Sequence, residues 1–299
     1  MKVAFLGLGT MGGPMALNLI RKGHDLAVYD IAAKSVARFE KERCRIAADP
    51  RDAAQGAEAV ITVLPTSRQV RETALAAAPA MPAGTLFIDM STGSAADSVA
   101  LGRELAARGI AMLDAPVGRT PADAERGALL VMVGGREEDV ERARPLFEAM
   151  ADTIHYMGPP GSGIRTKLVN NYISMVDMLL VAEALTLARK CGLDRDKVVQ
   201  VIRGTVAGKG QINVNYPKKV LAGDITPDFP LRMGLKDIGL ALDLGAEMAS
   251  PLSLGATARE FFALAPAWGR ENQDCTAMLL LLEDIAGVST AVAASDKNR

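Results

Sequence analysis

Two groups of residues in this 299-residue chain have types and spacing that can do chemistry. The first is Gly7-Leu8-Gly9-Thr10-Met11-Gly12, a complete GxGxxG set between the apolar run Lys2–Leu6 and a helix-like stretch that opens Gly13-Pro14-Met15. In a strand–turn–helix, Gly7 permits the tight turn, Gly9 lets the backbone approach a pyrophosphate, and Gly12 lets helix and strand pack closely. The N–H groups at the helix start then face the pyrophosphate charge. Asp30 ends the next apolar run, eighteen positions after Gly12. A carboxylate there accepts hydrogen bonds from ribose hydroxyls and repels a 2′-phosphate. The pattern therefore predicts NAD over NADP, hence NADH over NADPH. The competing reading of Asp30 is a turn cap, and Lys34 nearby offers a cation that could meet a phosphate. Leu64-Pro65 and Ser91-Thr92 follow the runs Ala59–Val63 and Thr85–Asp89. They are placed at the carboxyl ends of parallel strands, where ligands of open α/β sheets collect.

The second group is Lys167, Asn170, Asn171 and Ser174, at i, i+3, i+4 and i+7 of an otherwise apolar segment. On a helix these share one face. If the helix is buried, such a stripe pairs with other protein groups or lines a polar cavity, because an unsatisfied polar group costs about 1–3 kcal/mol. A lysine at such a place can polarise a carbonyl and give its proton to the forming alkoxide while hydride arrives from a nicotinamide. Asn171 can position the amine, and Asn170 and Ser174 can hold substrate oxygens.

These groups need elements to carry them. The first half alternates short apolar runs (Lys2–Leu6, Leu26–Tyr29, Ala59–Val63, Thr85–Asp89, Ala111–Asp114, Leu129–Val133, Thr153–Met157) with amphipathic stretches such as Met15–Lys22 and Ser94–Arg108. That alternation predicts βαβ units in a mostly parallel sheet. Gly158-Pro159-Pro160-Gly161-Ser162-Gly163 is the densest cluster of turn residues and marks a boundary. Beyond it a segment without Gly or Pro runs to Gly192, a helix of roughly 40 Å at 1.5 Å per residue. It is apolar on most faces along Leu168–Leu187, so it is expected to be buried. Asp194 is placed to cap the next helix, Lys197–Arg203, and Lys236–Met248, Leu254–Ala263 and Thr276–Ala286 read as helices. The expected organisation is an α/β Rossmann domain (1–162), an interdomain helix (163–192), an all-α domain (193–287) and a frayed tail (288–299).

Composition bounds the partners. With 34 basic and 35 acidic residues, nothing draws the chain to nucleic acid or an anionic membrane. Asp177 and Glu183 interrupt its greasiest stretch, so no membrane span is expected. Cys44, Cys191 and Cys275 form no CxxC pair and read as small buried hydrophobes in a reducing, cytoplasmic setting. His24 and His155 lack partners at ligand spacing, so no metal is expected and histidine-based proton transfer is disfavoured.

Five ordered motifs then carry a resemblance over nearly the whole chain: Phe5 to Gly12, Asp89-Met90-Ser91-Thr92, Asp114-Ala115-Pro116-Val117, Gly163 to Asn171, and Lys236-Asp237. The chain resembles the 3-hydroxyisobutyrate dehydrogenase (β-hydroxyacid dehydrogenase) family. The resemblance implies that Lys167 is catalytic and that Thr92 and Lys236 belong to the cofactor site. It also implies that the helical domain closes the cleft and supports homodimers or homotetramers. One departure is informative. The family loop usually continues Asp-Ala-Pro-Val with Ser-Gly-Gly, whereas this chain has Gly118-Arg119-Thr120. An arginine fork there turns a neutral cradle into a cationic one. That substitution, with Gly204–Gly210 and Val220–Asp224, is similar to the branch that reduces 3-sulfolactaldehyde to 2,3-dihydroxypropane-1-sulfonate. It implies a small anionic aldehyde held by Arg119 and Thr120 on one side and by Asn170, Asn171 and Ser174 on the other. The alternative for Arg119 is a solvated loop arginine. Competing functions are a reductase of a carboxylated aldehyde (tartronate or succinic semialdehyde), a phosphorylated-aldehyde reductase, a 3-hydroxyisobutyrate-type dehydrogenase, an imine reductase and a non-catalytic NAD-binding module.

Overall fold

The computed structural model describes residues 1–288, which form two compact units meeting at Ile173/Ser174. Of the expected tail, all but Val288 lies outside the described residues. The first unit contains β1 (Lys2–Leu6), α1 (Gly12–Arg21), β2 (Asp25–Tyr29), α2 (Ala33–Ala37), β3 (Arg45–Ile46), α3 (Pro50–Ala53), β4 (Ala59–Thr62) and α4 (Ser67–Ala77). It continues with β5 (Leu86–Asp89), α5 (Ala95–Ala106), β6 (Ala111–Asp114), β7 (Val117–Gly118), α6 (Pro121–Glu125), β8 (Leu129–Gly134), α7 (Glu137–Met150) and β9 (Ala151–Gly158). Helix α8 (Ser162–Lys190) leaves this unit and enters the second.

One nine-stranded sheet runs in the order β3-β2-β1-β4-β5-β6-β8-β7, with β9 paired to β8. The pairs from β3 to β6 are parallel. Alternation along the strands explains the two cores. Val3, Phe5 and Ile61 face one side, where Met15, Leu19 and Phe147 of α1 and α7 pack on them. Ala4, Leu6, Val60 and Phe87 face the other, against Val70, Ala74 and Leu101 of α4 and α5. Both faces are covered, as a parallel sheet requires. Chain order reverses at β1, which lies between β2 and β4, so a crevice opens at its carboxyl end.

The far edge of the sheet is less regular. Asp114 pairs with Gly134, Val117 with Val131 and Gly118 with Leu130, all antiparallel. The register is continuous, so β6 and β7 form one extended run along β8, and Gly118 lies beyond the carboxyl ends of the parallel strands. Strands β3 and β7 were not expected. Each has two residues, too few for a periodicity to register.

The second unit carries α9 (Arg195–Gly204), α10 (Val206–Lys209), α11 (Gln211–Val214), α12 (Leu231–Glu247), α13 (Ser253–Leu264) and α14 (Met278–Ile285). Asp194 caps α9 by accepting from the Lys197 N–H at 2.9 Å, and Gly192 takes the left-handed φ of +73° that ends α8. The unit has a small core of Leu231, Ala265, Ala277 and Leu281.

Helix α8 departs from expectation. It is one uninterrupted helix of 29 residues, but Val169, Tyr172, Ile173, Met178 and Leu179 are all more than half exposed. By its length and an 18-residue window of mean hydropathy 1.3 it is long and apolar enough to cross a membrane. Glu183 within it is instead tied into the second unit, where its carboxylate accepts the Leu254 N–H of α13 at 3.1 Å. An apolar pattern states what a helix can bury and not what this one copy supplies to cover it. Nor is any of the three cysteines fully buried.

Candidate active site

The fingerprint forms the turn its glycines require. Gly7 adopts φ +100°, and a Cβ there would lie 2.3 Å from the Val63 carbonyl oxygen. A Cβ on Gly12 would lie 2.0 Å from the Gly7 carbonyl oxygen, whereas one on Gly9 would meet nothing within 4 Å. Gly7 and Gly12 are therefore held by the protein's own packing, and Gly9 opens toward free space. No side chain caps the start of α1 and no acidic residue sits in its first turn. Gly13 and Met15 already donate to the Gly9 and Met11 carbonyls at 3.0 and 3.3 Å, and Pro14 has no N–H; the Gly12 N–H and those of the turn before it are left for an anion.

A cavity of about 690 Å³ opens there, lined by Gly7, Gly9, Thr10, Met11, Gly12, Asp30, Leu64 and Pro65. Each of these was expected from the sequence. The α4 residues Gln69, Glu72 and Thr73 also line it and were missed, because helical surface residues carry no motif. Asp30 does the capping job considered for it and also lines this cavity. Its Oδ2 accepts from the Leu8 N–H at 2.6 Å and its Oδ1 from the Ala32 N–H at 2.7 Å, which pins the turn. Each oxygen keeps further acceptor capacity beyond these bonds. The glycine cradle, the uncapped helix and this acid together fit an adenine dinucleotide. Ser91 ties the neighbouring loops together by accepting from the Leu64 N–H at 2.9 Å. Thr92 is exposed and outside the cavity lining. Lys236 lies on α12 in the second unit, paired with Asp237 at 3.0 Å.

The polar stripe is held from below by an acid. Asp114, 2% exposed at the end of β6, accepts the Gly161 N–H on Oδ1 at 2.7 Å and the Ile164 N–H on Oδ2 at 2.9 Å. It thus caps the first turn of α8. The joint is tight, since a Cβ on Gly163 would lie 2.3 Å from the Met132 carbonyl oxygen. Burial pushes the Asp114 carboxyl up, against the pull of those N–H groups. Asp89 next to it accepts from Thr62 Oγ1 and the Ser91 N–H, both at 3.0 Å, and burial pushes it up too. The Asp-Ala-Pro-Val motif flagged Asp114, but its role as the anchor of α8 is nonlocal and was not legible.

Lys167 follows Ile164 by three residues. It is half-buried and has no ion-pair partner among the described residues, and burial lowers its pKa from 10.5. Asn171 is half-buried one turn further on, with Asn170 and Ser174 exposed beside it. Asn170 Nδ2 and Asn171 Oδ1 stand 3.4 Å apart. The stripe is one face, as expected, but solvent rather than a buried network meets most of it.

The Gly118-Arg119-Thr120 loop differs from expectation in its hydrogen bonds. The Thr120 hydroxyl caps α6, donating to Asp123 Oδ2 at 2.6 Å and accepting from the Asp123 N–H. It is therefore not a free donor for a substrate oxygen. Arg119 adopts φ +78°, a conformation that costs a side-chain-bearing residue about 1–2 kcal/mol. That accounts for the glycine the family pattern carries at this place. Its Nη1 reaches Asp152 Oδ1 and the Ala128 carbonyl, each at 2.6 Å. The bond pushes the guanidinium up and holds the Asp152 carboxyl below the usual carboxylate range. Arg119 is thus neither fully free nor simply solvated.

A doubly covered parallel sheet, a glycine-cradled crevice and a lysine-bearing helix following it define a nicotinamide-dependent dehydrogenase. Residues 2–158 match the family model for the NAD binding domain of 6-phosphogluconate dehydrogenase, and residues 161–282 match that for the NAD-binding region of NADP-dependent 3-hydroxyisobutyrate dehydrogenase. The chain is 41% identical over 293 residues to the 3-sulfolactaldehyde reductase of Escherichia coli (strain K12), covering 97% of this chain and 98% of that protein. It belongs to the 3-hydroxyisobutyrate dehydrogenase family. Among solved structures it is similar to Mycobacterium tuberculosis 3-hydroxyisobutyrate dehydrogenase with L-serine, at 33% identity and TM-score 0.65, covering 94% and 98% of the two chains. An imine reductase from Streptomyces aurantiacus superposes with TM-score 0.83 at 21% identity, covering 94% and 99%; this is a likeness of fold alone.

Proposed function

We propose that this enzyme reversibly reduces a short aldehyde bearing a strong anion, 3-sulfolactaldehyde, to the alcohol with NADH. The reading rests above all on Lys167: a half-buried amine with no counter-ion among the described residues, on the first turns of a helix that Asp114 caps. The 41% identity to a sulfolactaldehyde reductase supports the substrate. NADH, when bound, supplies the hydride. Lys167 hydrogen-bonds the carbonyl oxygen and donates its proton to the alkoxide. Asn171, one turn along, orients the amine, and Asn170 and Ser174 hold substrate oxygens from the same face. Arg119 takes the anion. Asp30 favours NADH over NADPH by ribose contact and by repelling a 2′-phosphate, and Thr92 and Lys236 complete the cofactor contacts.

The assay follows NADH absorbance with 3-sulfolactaldehyde, succinic semialdehyde and tartronate semialdehyde at equal concentration. Preference for the sulfonate is expected. Preference for a carboxylate would keep the dehydrogenase and Lys167 but discard the sulfonate. We further infer that residues 1–162 bind the cofactor as a domain, with 163–192 the connecting helix and 193–287 the helical domain of a cytoplasmic enzyme. The bare apolar side of α8 is assigned to a second copy of the chain in a homodimer or homotetramer, since a two-fold contact covers the same surface on both copies. Light scattering of the purified protein that finds only monomer would refute this.

A further inference from the structure

The hydrogen bonds of Arg119 are unevenly distributed over its five donors. Nη1 meets both oxygens of Asp152, at 2.6 and 2.8 Å, and the Ala128 carbonyl. Nη2 donates to Thr153 Oγ1 at 3.1 Å, and Thr153 Oγ1 in turn donates to Asp152 Oδ1 at 2.6 Å. These acceptors adjoin one another, so they occupy the Nη1–Nη2 end of the guanidinium. The Nε N–H has no partner among the described residues, and with the outer N–H of Nη2 it forms a parallel pair of donors suited to two oxygens of an oxyanion. The continuous β6–β7 run sets this group beyond the carboxyl ends of the parallel strands, on the side where a ligand of this sheet binds.

An arginine fork by itself accepts a phosphate as readily as a sulfonate. The two ligands differ in charge, since a sulfonate carries one negative charge and a phosphate monoester between about 1.5 and 2 at neutral pH. Asp152 already neutralises Arg119, and Asp123 in the same field is itself paired with Arg126. The first charge of a ligand gains a two-point hydrogen bond, while the second meets no free cation on this loop.

We propose that Asp152 is a specificity-determining residue: it holds Arg119 with its Nε edge open, and its charge admits a monoanionic substrate while penalising a dianionic one. This rests on the reading that Arg119 binds the substrate anion. The test is steady-state NADH oxidation by the full chain with 3-sulfolactaldehyde, glyceraldehyde 3-phosphate and uncharged glyceraldehyde. Asp152→Asn keeps an acceptor for Nη1 and removes the charge. It is expected to lower KM for the phosphate relative to the sulfonate by about two- to fivefold, the scale of one exposed charge pair, with KM for glyceraldehyde unmoved. Asp152→Ala also removes the acceptor and is expected to raise KM for the sulfonate. An unchanged KM ratio of phosphate to sulfonate in Asp152→Asn overturns the proposal. Arg119→Gly, which suits the left-handed backbone, separates the two layers. A wild-type KM for the sulfonate in that variant removes Arg119 from the site and the proposal with it. A raised KM there, beside an unmoved ratio in Asp152→Asn, removes Asp152 alone.

Discussion

Removing the Asp114 carboxylate tests whether the cap on α8 sets the position of Lys167. In Asp114→Ala the Gly161 and Ile164 N–H groups lose the buried acceptor they reach at 2.7 and 2.9 Å. Each unpaired group costs about 1–3 kcal/mol, so the gross loss is roughly 2–6 kcal/mol. Part of this is recovered, because burial holds the carboxylate at a desolvation cost that disappears with it. A net loss of about 2–4 kcal/mol remains, which for a chain of this class lowers Tm by roughly 4–16 °C. Asp114→Asn keeps one acceptor oxygen and is expected to lose about half as much. Because Lys167 follows Ile164 by three residues, fraying of the first turn displaces the amine. The kcat of reduction is therefore expected to fall further than the affinity for NADH. Thermal unfolding by circular dichroism gives the first quantity, NADH absorbance and fluorescence titration the others. A Tm for Asp114→Ala within about 2 °C of wild type would show that water or the next turn satisfies those N–H groups, and the positioning argument would fail.

Three further outcomes are expected. Reduction needs Lys167 as the ammonium, and its pKa is lowered from 10.5, so the reduction rate should decline as pH rises through a break below 10.5 while alcohol oxidation rises across the same window. Lys167→Met should abolish turnover and retain NADH binding; a break at or above 10.5 in the wild type, or loss of NADH binding in the variant, contradicts the assignment. Gly12→Ala, whose Cβ would lie 2.0 Å from the Gly7 carbonyl oxygen, should distort the turn and lower Tm, whereas Gly9→Ala should keep the wild-type Tm and lose NADH affinity; equal Tm values for the two variants would refute that division. Asp89, pushed up by burial, keeps its proton in the folded state over a range where the unfolded chain has released it. Stability should thus fall as pH rises from the unfolded value of 3.8 through the raised folded one, and Asp89→Asn should flatten that slope and raise Tm at neutral pH. An unaltered slope in urea denaturation would refute it.

Much of this molecule was legible in its sequence because the determinants are local. Gly12 is dictated by a turn that closes on its own Gly7 carbonyl, and the GxGxxG spacing between strand and helix marks that turn before any fold is known. The i, i+3, i+4, i+7 spacing put Lys167, Asn170, Asn171 and Ser174 on one face as soon as residues 162–190 became helical. What the tertiary structure alone decided involves groups far apart in the chain. Asp114 caps a helix that begins 48 residues later, because the sheet register brings the end of β6 beside the turn after β9. Arg119 spends one end of its guanidinium on Asp152, 33 residues away, which no local pattern encodes. The apolar face of α8 marks the limit of the pattern itself: periodicity reports that a surface is suited to burial, and whether it is buried depends on what packs against it.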